Sequence, residues 1–292
     1  MKSGFVAVVG RPNVGKSTLV NHLVGSKVAI TSTKPQTTRS VIRGLVNGDG
    51  YQIVLLDTPG LHRPRTELGS RLNAAVYRTL GDADAVVFVI DATMPIGPGD
   101  RLTAERLIES GADVVVAVNK VDEANRSQIV AQLVEASKWP FEHYFPISAL
   151  TGEGVAAMVG HMITRLPEGP KYYPDDMTTD QPESVVIAEI IREKFLERLT
   201  DELPHSLVVR VEEIEERDDG LVDIRAEVIV ERASQRGIVI GKGGSLLGAA
   251  GTEARHELEA ILGARVNLDL HVTVEQDWQR KPLLLDRLGF AE

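Results

Sequence analysis

The sequence predicts a doubly wound α/β domain followed by a smaller α+β domain. Short apolar runs alternate with helical patterns over residues 1–166, a segment rich in Pro and Gly follows at 167–182, and an α-β-β-α-α-β order fills 183–292. The 292 residues are 43% hydrophobic and 25% charged, which provides enough apolar surface for two cores. We therefore predict two domains joined by a linker, in which Tyr172 and Tyr173 either pack across the domain junction or stay exposed.

In the first domain, five apolar runs have the pattern of strands, and the stretches between them have the spacing of helices. Three runs are almost continuously apolar, which is typical of strands buried on both faces of a mostly parallel sheet. In such a sheet, ligands bind at the carboxyl ends of the strands. The strands are predicted at 5–9, 53–56, 85–90, 114–118 and 144–147, and the helices at 16–25, 66–80, 100–110, 125–137 and 153–165.

The second domain is predicted to begin with a helix, because apolar residues recur at helical spacing from Val186 until Pro204. An Asp-Asp-Gly turn at 218–220 then joins strands at 207–216 and 221–231 into a hairpin. Two helices at 233–240 and 245–262 and a last strand at 266–274 complete the order.

Composition and charge exclude several classes of function. The sequence contains no cysteine, which rules out disulfides, a thiolate nucleophile and cysteine-ligated zinc. No apolar run approaches the ~20 residues of a membrane span, and Arg11 interrupts the N-terminal apolar stretch, so a signal peptide is not predicted either. We therefore expect a cytoplasmic protein.

The net charge of −10 is distributed unevenly, with +2 in residues 1–166 and −12 in residues 167–292. Averaged over its surface, the second half should repel nucleic acid. Binding of RNA there would depend on a local cluster of basic residues.

A phosphate-binding loop is the clearest motif, because residues 10–17 fit G-x-x-x-x-G-K-[ST] between a predicted strand and a predicted helix. Its backbone N–H groups and the helix N-terminus would surround phosphates. Lys16 would bridge the β- and γ-phosphates, and the Ser17 hydroxyl would bind Mg²⁺. The alternative is a chance glycine loop. The nucleotide-binding residues predicted here are Gly10, Arg11, Pro12, Asn13, Val14, Gly15, Lys16, Ser17 and Thr18.

A second motif, Asp57-Thr58-Pro59-Gly60, ends the strand predicted at 53–56. The Asp57 carboxylate can hold Mg²⁺, and the Gly60 amide can reach the γ-phosphate. Leu61 occupies the position where many GTPases carry a water-orienting glutamine, and an aliphatic side chain cannot orient or deprotonate water. His62 is the nearest titratable residue, and it is either catalytic or simply exposed.

A base-recognition motif, Asn119-Lys120-Val121-Asp122, follows the strand predicted at 114–118. The Asp122 carboxylate can accept two hydrogen bonds from guanine, whereas adenine has no such donor pair. Asn119 would reach the base or hold the phosphate loop, and the stem of Lys120 would lie over the ring. An ATPase and a solvated cluster at the start of a helix are the alternatives. Ser148, Ala149 and Leu150 are predicted to complete the base pocket, with the Ala149 amide facing the guanine carbonyl oxygen.

These motifs, each at a strand end, resemble those of the translation-factor-related GTPases. The segments at 10–17 and 57–60, together with Gln36-Thr37-Thr38-Arg39, resemble the Era branch. The resemblance implies a P-loop NTPase fold and a slow, Mg²⁺-dependent GTPase that binds GTP and GDP. It implies that Thr38 is the switch-loop ligand of Mg²⁺, with Thr37 as the alternative. The metal ligands would then be Ser17, Thr38 and Asp57, and the catalytic residues would be Lys16, Asn13, Thr38 and Gly60. Asn13 would either hold a K⁺ ion beside the phosphates or simply cap the loop.

The second domain resembles a type II KH domain, in which a G-x-x-G loop clamps about four nucleotides of single-stranded RNA. Between Arg232 and Arg255, the only acidic residue is Glu253, which favours RNA at this loop. An ordinary helix-helix turn is the alternative. The lysine that many relatives carry after the loop is missing here. The RNA-binding residues predicted are Arg236, Ile240, Gly241, Lys242, Gly243, Gly244 and Ser245.

Together these resemblances imply a GTP-dependent switch that binds the 3′ end of small-subunit (16S) ribosomal RNA and assists maturation of the 30S subunit. The Pro-rich linker is predicted to act as the hinge between the domains. The rival function is a GTP-dependent scaffold whose second domain binds protein or the membrane surface. A monomer is expected, in the cytoplasm or peripherally on the inner face of the cell membrane.

Overall fold

A computed structural model describes residues 1–34, 37–61, 64–200 and 203–290. The first half of the chain forms a six-stranded sheet in the order β2-β3-β1-β4-β5-β6, with helices on both faces. All its neighbouring strands are parallel except β2 and β3. The strands are β1 Lys2–Val9, β2 Ile42–Gly48, β3 Tyr51–Asp57, β4 Ala85–Asp91, β5 Val114–Asn119 and β6 His143–Ile147. The helices are α1 Lys16–Val24, α2 Glu67–Asp82, α3 Pro98–Ser110, α4 Arg126–Ala136 and α5 Val155–Arg165.

All five predicted strands and all five predicted helices of this half are confirmed, but the sequence reasoning missed β2. This edge strand is half exposed and contains two glycines, so neither an apolar run nor strict alternation marks it. Gly44 is required there because a Cβ atom would lie 2.7 Å from a methyl carbon of Val24 on α1. The Asp-Gly turn at 49–50, with Gly50 at a φ of 79°, was the usable signal for this hairpin.

The second half of the chain forms a three-stranded sheet in the order β7-β8-β9, with β7 antiparallel and β9 parallel to β8. The predicted α-β-β-α-α-β order and the hairpin are confirmed. The strands are β7 Val208–Glu216, β8 Leu221–Val230 and β9 Arg265–Val274. The helices are α6 Glu183–Leu196, α7 Leu203–Ser206, α8 Ala233–Ile240, α9 Ser245–Leu262 and α10 Pro282–Arg287, with 3₁₀ turns at Lys242–Gly244 and Trp278–Arg280.

The predicted first helix of this half is too long. It ends at Leu196 rather than near Pro204, which lies in the short helix α7. The apolar pattern continues beyond the helix because Leu199 packs into the same core after the chain has turned. The spacing of apolar residues in the sequence therefore continues beyond the end of α6, which is why the predicted helix was too long.

The linker forms a strap along the first sheet, and its role as the hinge between the domains stays a prediction. The backbone amide of Leu45 donates to the Thr178 carbonyl at 2.9 Å, and the buried Gln52 side chain bonds the backbone of both linker tyrosines at 2.7–3.0 Å. Tyr173 packs against an apolar cluster of the first domain, and the ring of Tyr172 lies 5.0 Å from Phe5. Neither tyrosine thus packs across the junction: Tyr173 packs on the first domain, and Tyr172 is 44% exposed, as the second alternative predicted.

The two halves meet through an apolar cluster on α2. Leu68 and Leu72 pack there against Ile229 of β8 and against Trp278 and Leu285 near the C-terminus, and all five side chains are buried. In the described part of the chain, no helix is both long and apolar enough to span a membrane.

Candidate functional site

The phosphate loop runs from the end of β1 to the start of α1, and two of its glycines are required by close contacts. A Cβ on Gly10 would lie 2.4 Å from the Val89 carbonyl oxygen, and one on Gly15 would lie 2.3 Å from the Asn119 amide nitrogen. Both glycines also have positive φ values, of 151° and 98°. The Lys16 ammonium donates to the carbonyls of Gly10 and Arg11 at 3.0 Å, so the loop already curls around this cation.

The three predicted metal ligands converge at the start of α1. The Ser17 hydroxyl donates to Asp57 Oδ2 at 2.6 Å and lies 3.0 Å from the hydroxyl of Thr38, which itself lies 3.4 Å from Asp57 Oδ2. The Thr37 hydroxyl instead donates to the Lys34 carbonyl, so the geometry favours Thr38 over Thr37. Asp57 Oδ1 is buried and has no hydrogen-bond partner among the described residues. Two hydroxyls and a carboxylate with an unsatisfied oxygen suit Mg²⁺, which prefers oxygen ligands.

Burial shifts the ionisation of both charged groups in this site. It raises the pKa of Asp57 to about 6 and lowers the pKa of Lys16 to about 8. In each case the charge of the other partly opposes the shift. Such paired, buried charges are typical of a site that is completed by a charged ligand.

A cavity of about 310 Å³ opens above these residues. On one side it is lined by the phosphate loop and α1, including Pro12 and Thr18, and on the other by the segment after α1. The Asn13 side chain joins the two sides by donating to the Thr33 carbonyl at 2.5 Å. Of the lining residues on this side, Thr31, Ser32 and Thr33 belong to the segment 31–40 that the γ-phosphate and Mg²⁺ are predicted to hold, whereas Ile30 carries no motif and was not singled out.

Around the second motif, Gly60 lies so close to the phosphate loop that a Cβ would be 2.8 Å from the Pro12 ring. The Thr58 hydroxyl donates to the Val8 carbonyl, which fixes the end of β3 to β1. Leu61 is 4% exposed and packs in the core, so its position excludes a role in orienting water. Gln36 and His62 lie outside the described residues, and a catalytic role for His62 stays a prediction.

Asn119 connects the three nucleotide-binding loops. Its amide nitrogen donates to the Val14 carbonyl at 2.7 Å, and its oxygen accepts the backbone N–H of Ala149 at 2.8 Å. The prediction that Asn119 holds the phosphate loop therefore fits the geometry. The Ala149 amide has an acceptor here, so its donation to guanine stays a prediction.

The other base-pocket residues differ in burial. Ser148 is buried, whereas Asp122 and Leu150 are exposed, with Leu150 at 70%. The backbone amide of Val121 donates to the Ile147 carbonyl and joins this loop to β6. The exposed Asp122 carboxylate is free to accept hydrogen bonds from a base, and that role stays a prediction.

The G-x-x-G loop of the second domain joins α8 to α9. A Cβ on Gly241, at a φ of 76°, would lie 2.8 Å from the Leu246 amide nitrogen, so this position requires glycine. Gly243 and Gly244 also have positive φ values, but they border open space. Arg236, Lys242 and Ser245 are exposed around the loop, which leaves room for a phosphate chain.

One predicted RNA-binding residue is partly buried, and its contact with RNA stays a prediction. Ile240 packs against the core of the second domain, whereas Ile238, two residues earlier on α8, is 53% exposed. Ile238 is thus an exposed apolar side chain close in sequence to the G-x-x-G loop, and the sequence analysis did not single it out.

Comparison with known proteins identifies the family. A model of 50S ribosome-binding GTPases matches residues 5–120, and a KH-domain model matches residues 202–279. GTPase Era of Mycobacterium tuberculosis strain H37Rv is 52% identical over 295 residues, which cover 99% of this chain and 98% of that protein. GTPase Era of Mycobacterium bovis BCG Pasteur gives the same values. The chain belongs to the Era family of GTPases.

Solved structures of Era have the same fold over their whole length. A variant of Aquifex aeolicus Era bound to GDP and AlF₄⁻ is 39% identical, with a TM-score of 0.96 and complete coverage of both chains. Era in complex with MgGDPNP and nucleotides 1506–1542 of 16S ribosomal RNA gives the same identity, score and coverage. The predicted fold class, a P-loop GTPase domain followed by a KH domain, is confirmed, and this Era-family protein is a GTPase.

Proposed function

We propose that this Era-family GTPase binds the 3′-terminal region of 16S ribosomal RNA through its KH domain when GTP is bound, and that it assists maturation of the 30S subunit. The observation that carries the proposal is the exposed G-x-x-G loop, in a chain whose whole length matches an Era structure holding nucleotides 1506–1542 of 16S ribosomal RNA. Basic side chains flank the loop, while the acidic residues of β7 lie in a different part of the domain.

The proposed nucleotide-site roles follow the geometry. The phosphate loop and Lys16 hold the β- and γ-phosphates, and Ser17, Thr38 and Asp57 hold Mg²⁺. The Asp122 carboxylate selects guanine, and the stem of Lys120 covers the base. In this chain Leu61 is buried, so positioning of the attacking water falls to backbone groups and the metal.

A potassium ion beside the phosphates is the second part of the proposal. Asn13 has a left-handed φ of 65° and is fixed to the Thr33 carbonyl, which is an oxygen ligand of the kind K⁺ accepts. Turnover should therefore be faster in potassium than in sodium, and Asn13→Ala should remove that difference. Equal rates in the two salts for the unaltered protein would exclude the ion.

Direct contacts between the switch segment and the KH domain support a short route from nucleotide to RNA. Arg39 follows Thr38 and is 3% exposed, and its guanidinium donates to the carbonyls of Leu207, Pro204 and His205 at 2.6–2.9 Å. It also lies 5.9 Å from the ring centroid of Trp278. We propose that movement of Thr38 on loss of the γ-phosphate shifts this set of bonds.

Helix α6 holds the same segment from its other side. Arg192 donates to the Thr37 carbonyl, and the Glu193 carboxylate accepts the Thr31 amide at 2.8 Å. Glu193 also pairs with Lys27, just after α1. The first helix of the KH domain is therefore bonded to both ends of the loop that covers the nucleotide.

The RNA proposal is tested by titrating a 16S 3′-end fragment into the protein in its GDPNP and GDP forms. Lys242→Ala should weaken binding in the GDPNP form, and Gly243→Asp should abolish it because a carboxylate would repel the phosphates. Lys138→Ala, at an exposed position two residues beyond the end of α4, is the matched control and should bind normally. If the unaltered protein binds no RNA in either form, the rival scaffold function gains support and ours is wrong.

Four further points stay predictions: the monomeric state, the cytoplasmic location, the peripheral membrane association and the domain boundaries.

RNA binding should depend only weakly on salt, because few basic side chains surround the loop. Sedimentation with and without vesicles of anionic lipid would test the monomeric state and the membrane alternative together.

A further inference from the structure

A buried aspartate at the end of β4 lies between the phosphate loop and the base-recognition loop. Asp91 is 5% exposed, and its Oδ1 accepts the backbone N–H and the hydroxyl of Thr93 at 2.9 and 2.6 Å. Its Oδ2 accepts the Lys120 ammonium at 2.7 Å. One carboxylate oxygen is thus fixed by its own loop, and the other is directed at the residue proposed to cover the base.

A cation from the phosphate loop comes to the same place. Arg11 Nε lies 3.2 Å from Asp100 Oδ1, and its Nη2 lies 3.9 Å from Asp91 Oδ2. Asp100, 1% exposed, is held in turn by the Gly97 amide at the start of α3. The Arg11 side chain, predicted to bind nucleotide, therefore points to α3, and only its backbone remains available to phosphates.

The backbone of Lys120 explains why it needs this partner. Its φ of 70° is left-handed, a conformation that costs a non-glycine residue free energy unless its surroundings hold it. The backbone is held by the bond from the Ala92 amide to the Asn119 carbonyl at 2.7 Å and by the bonds from the Glu123 and Ala124 amides to the Lys120 carbonyl at 3.1 Å. The side chain is held by the ion pair with Asp91. Although burial alone would raise the pKa of Asp91, the hydrogen bonds from Lys120 and Thr93 outweigh it and lower the pKa, so the ion pair persists at neutral pH.

We propose that Asp91 is a positioning residue for nucleotide binding, which holds the Lys120 stem over the guanine ring and links it to the phosphate loop through Arg11. The inference rests on the role of Lys120 in the proposed function. Without the carboxylate charge, the Lys120 ammonium turns toward water and its stem leaves the base. Bound nucleotide should then dissociate faster.

The test measures dissociation of a fluorescent GDP from the full chain, in Asp91→Asn, Lys120→Met and the double variant. Lys120→Met keeps most of the stem and removes the charge that Asp91 binds. We expect Asp91→Asn to speed dissociation about fivefold to tenfold, as for loss of the charge from one hydrogen bond. In the Lys120→Met background it should add less than twofold, because the group through which it acts is already gone.

Each outcome decides one point. If Lys120→Met leaves dissociation unchanged, the proposed role of Lys120 fails; if Lys120→Met speeds dissociation and Asp91→Asn does not, the Asp91 inference fails. An equal effect of Asp91→Asn in both backgrounds also overturns it, because a general loss of structure would act in this way. Asp113→Asn, which breaks the surface pair with Arg165, is the matched control and should stay within twofold of the unaltered protein.

A second variant covers the case in which Asp91→Asn does not fold. Thr93→Val removes one hydroxyl donor to Asp91 and leaves the charge in place. It should speed dissociation about twofold to threefold, and again only where Lys120 is present. No change in this variant, with normal thermal unfolding, contradicts the proposal.

Discussion

Replacement of Arg39 by methionine should uncouple RNA binding from the nucleotide state. Methionine keeps an unbranched apolar stem but removes every donor of the guanidinium. Three carbonyl groups of the KH domain, those of Leu207, Pro204 and His205, then each lose a hydrogen bond. The side chain at position 39, next to Thr38, then no longer bonds to the KH domain.

The size of the effect follows from these contacts. Each charge-assisted bond contributes ~1.5–3 kcal/mol, so the gross loss is ~5–9 kcal/mol. Burial and the nearby charge of Arg192 lower the pKa of Arg39 to about 9, which shows that the buried cation is itself costly. After that cost is subtracted, a net loss of roughly 3 kcal/mol remains, and it changes the docking equilibrium of the two domains by roughly 100-fold.

The assay compares the affinity for a 16S 3′-end RNA in the GDPNP and GDP forms. In the unaltered protein, RNA affinity in the GDPNP form divided by RNA affinity in the GDP form should be well above one. In Arg39→Met this affinity ratio should fall close to one, while the affinity for nucleotide is unchanged. Arg43→Met is the matched control, because Arg43 is exposed on β2 and pairs with Asp180 of the linker. If Arg39→Met keeps the affinity ratio of the unaltered protein, or if Arg43→Met lowers it equally, the proposed route from nucleotide to RNA through Arg39 is wrong.

Three other perturbations test the nucleotide and RNA sites. Asp57→Asn should stabilise the nucleotide-free protein by roughly 3 kcal/mol at pH 7.5 and by roughly half as much at pH 5, because burial raises the pKa of Asp57 from 3.8 to about 6 and the penalty for the buried charge disappears only below the lower value; thermal unfolding at both pH values checks this. Gly241→Ala should abolish RNA binding, since its Cβ would meet the backbone of Leu246, whereas Gly248→Ala, a helical site with open space, should bind normally in the same titration. Leu61→Gln should lower the melting temperature without speeding GTP hydrolysis, because the side chain points into the core; faster turnover would show that the loop can turn outward.

The nucleotide site could be predicted because each of its motifs is local in sequence and stands at the end of a strand. The order of the parallel strands then brings Ser17 and Asp57 together, although 40 residues separate them. Spacing alone, however, could not decide whether Thr37 or Thr38 is the Mg²⁺ ligand. The choice depends on the direction in which the loop turns, and the structure turns Thr38 inward.

What the sequence did not predict depends on contacts between distant residues. The role of Gln52 in holding the linker requires a buried amide to meet backbone groups about 120 residues away, and no residue pattern reports such a pairing. The same is true of Arg39, whose acceptors are backbone carbonyls that any residue would supply. When a side chain bonds to backbone atoms, the acceptor can belong to any residue type. The sequence around the acceptor therefore contains no residue that would indicate the contact.

The position of Arg39 also removes the need for a hinge in the linker. Adjacent Cα atoms are 3.8 Å apart, so Thr38 cannot leave the metal site by more than a few ångströms without displacing Arg39. Arg39 in turn is bonded to the segment that leads into β7, whose partner strand β8 packs on α2 through Ile229. With the proposed role of Thr38 at the metal, a change at the γ-phosphate would reach the KH sheet through one peptide bond and one side chain. The linker, fixed to the first domain along most of its length, keeps the two domains close enough for that contact to form again.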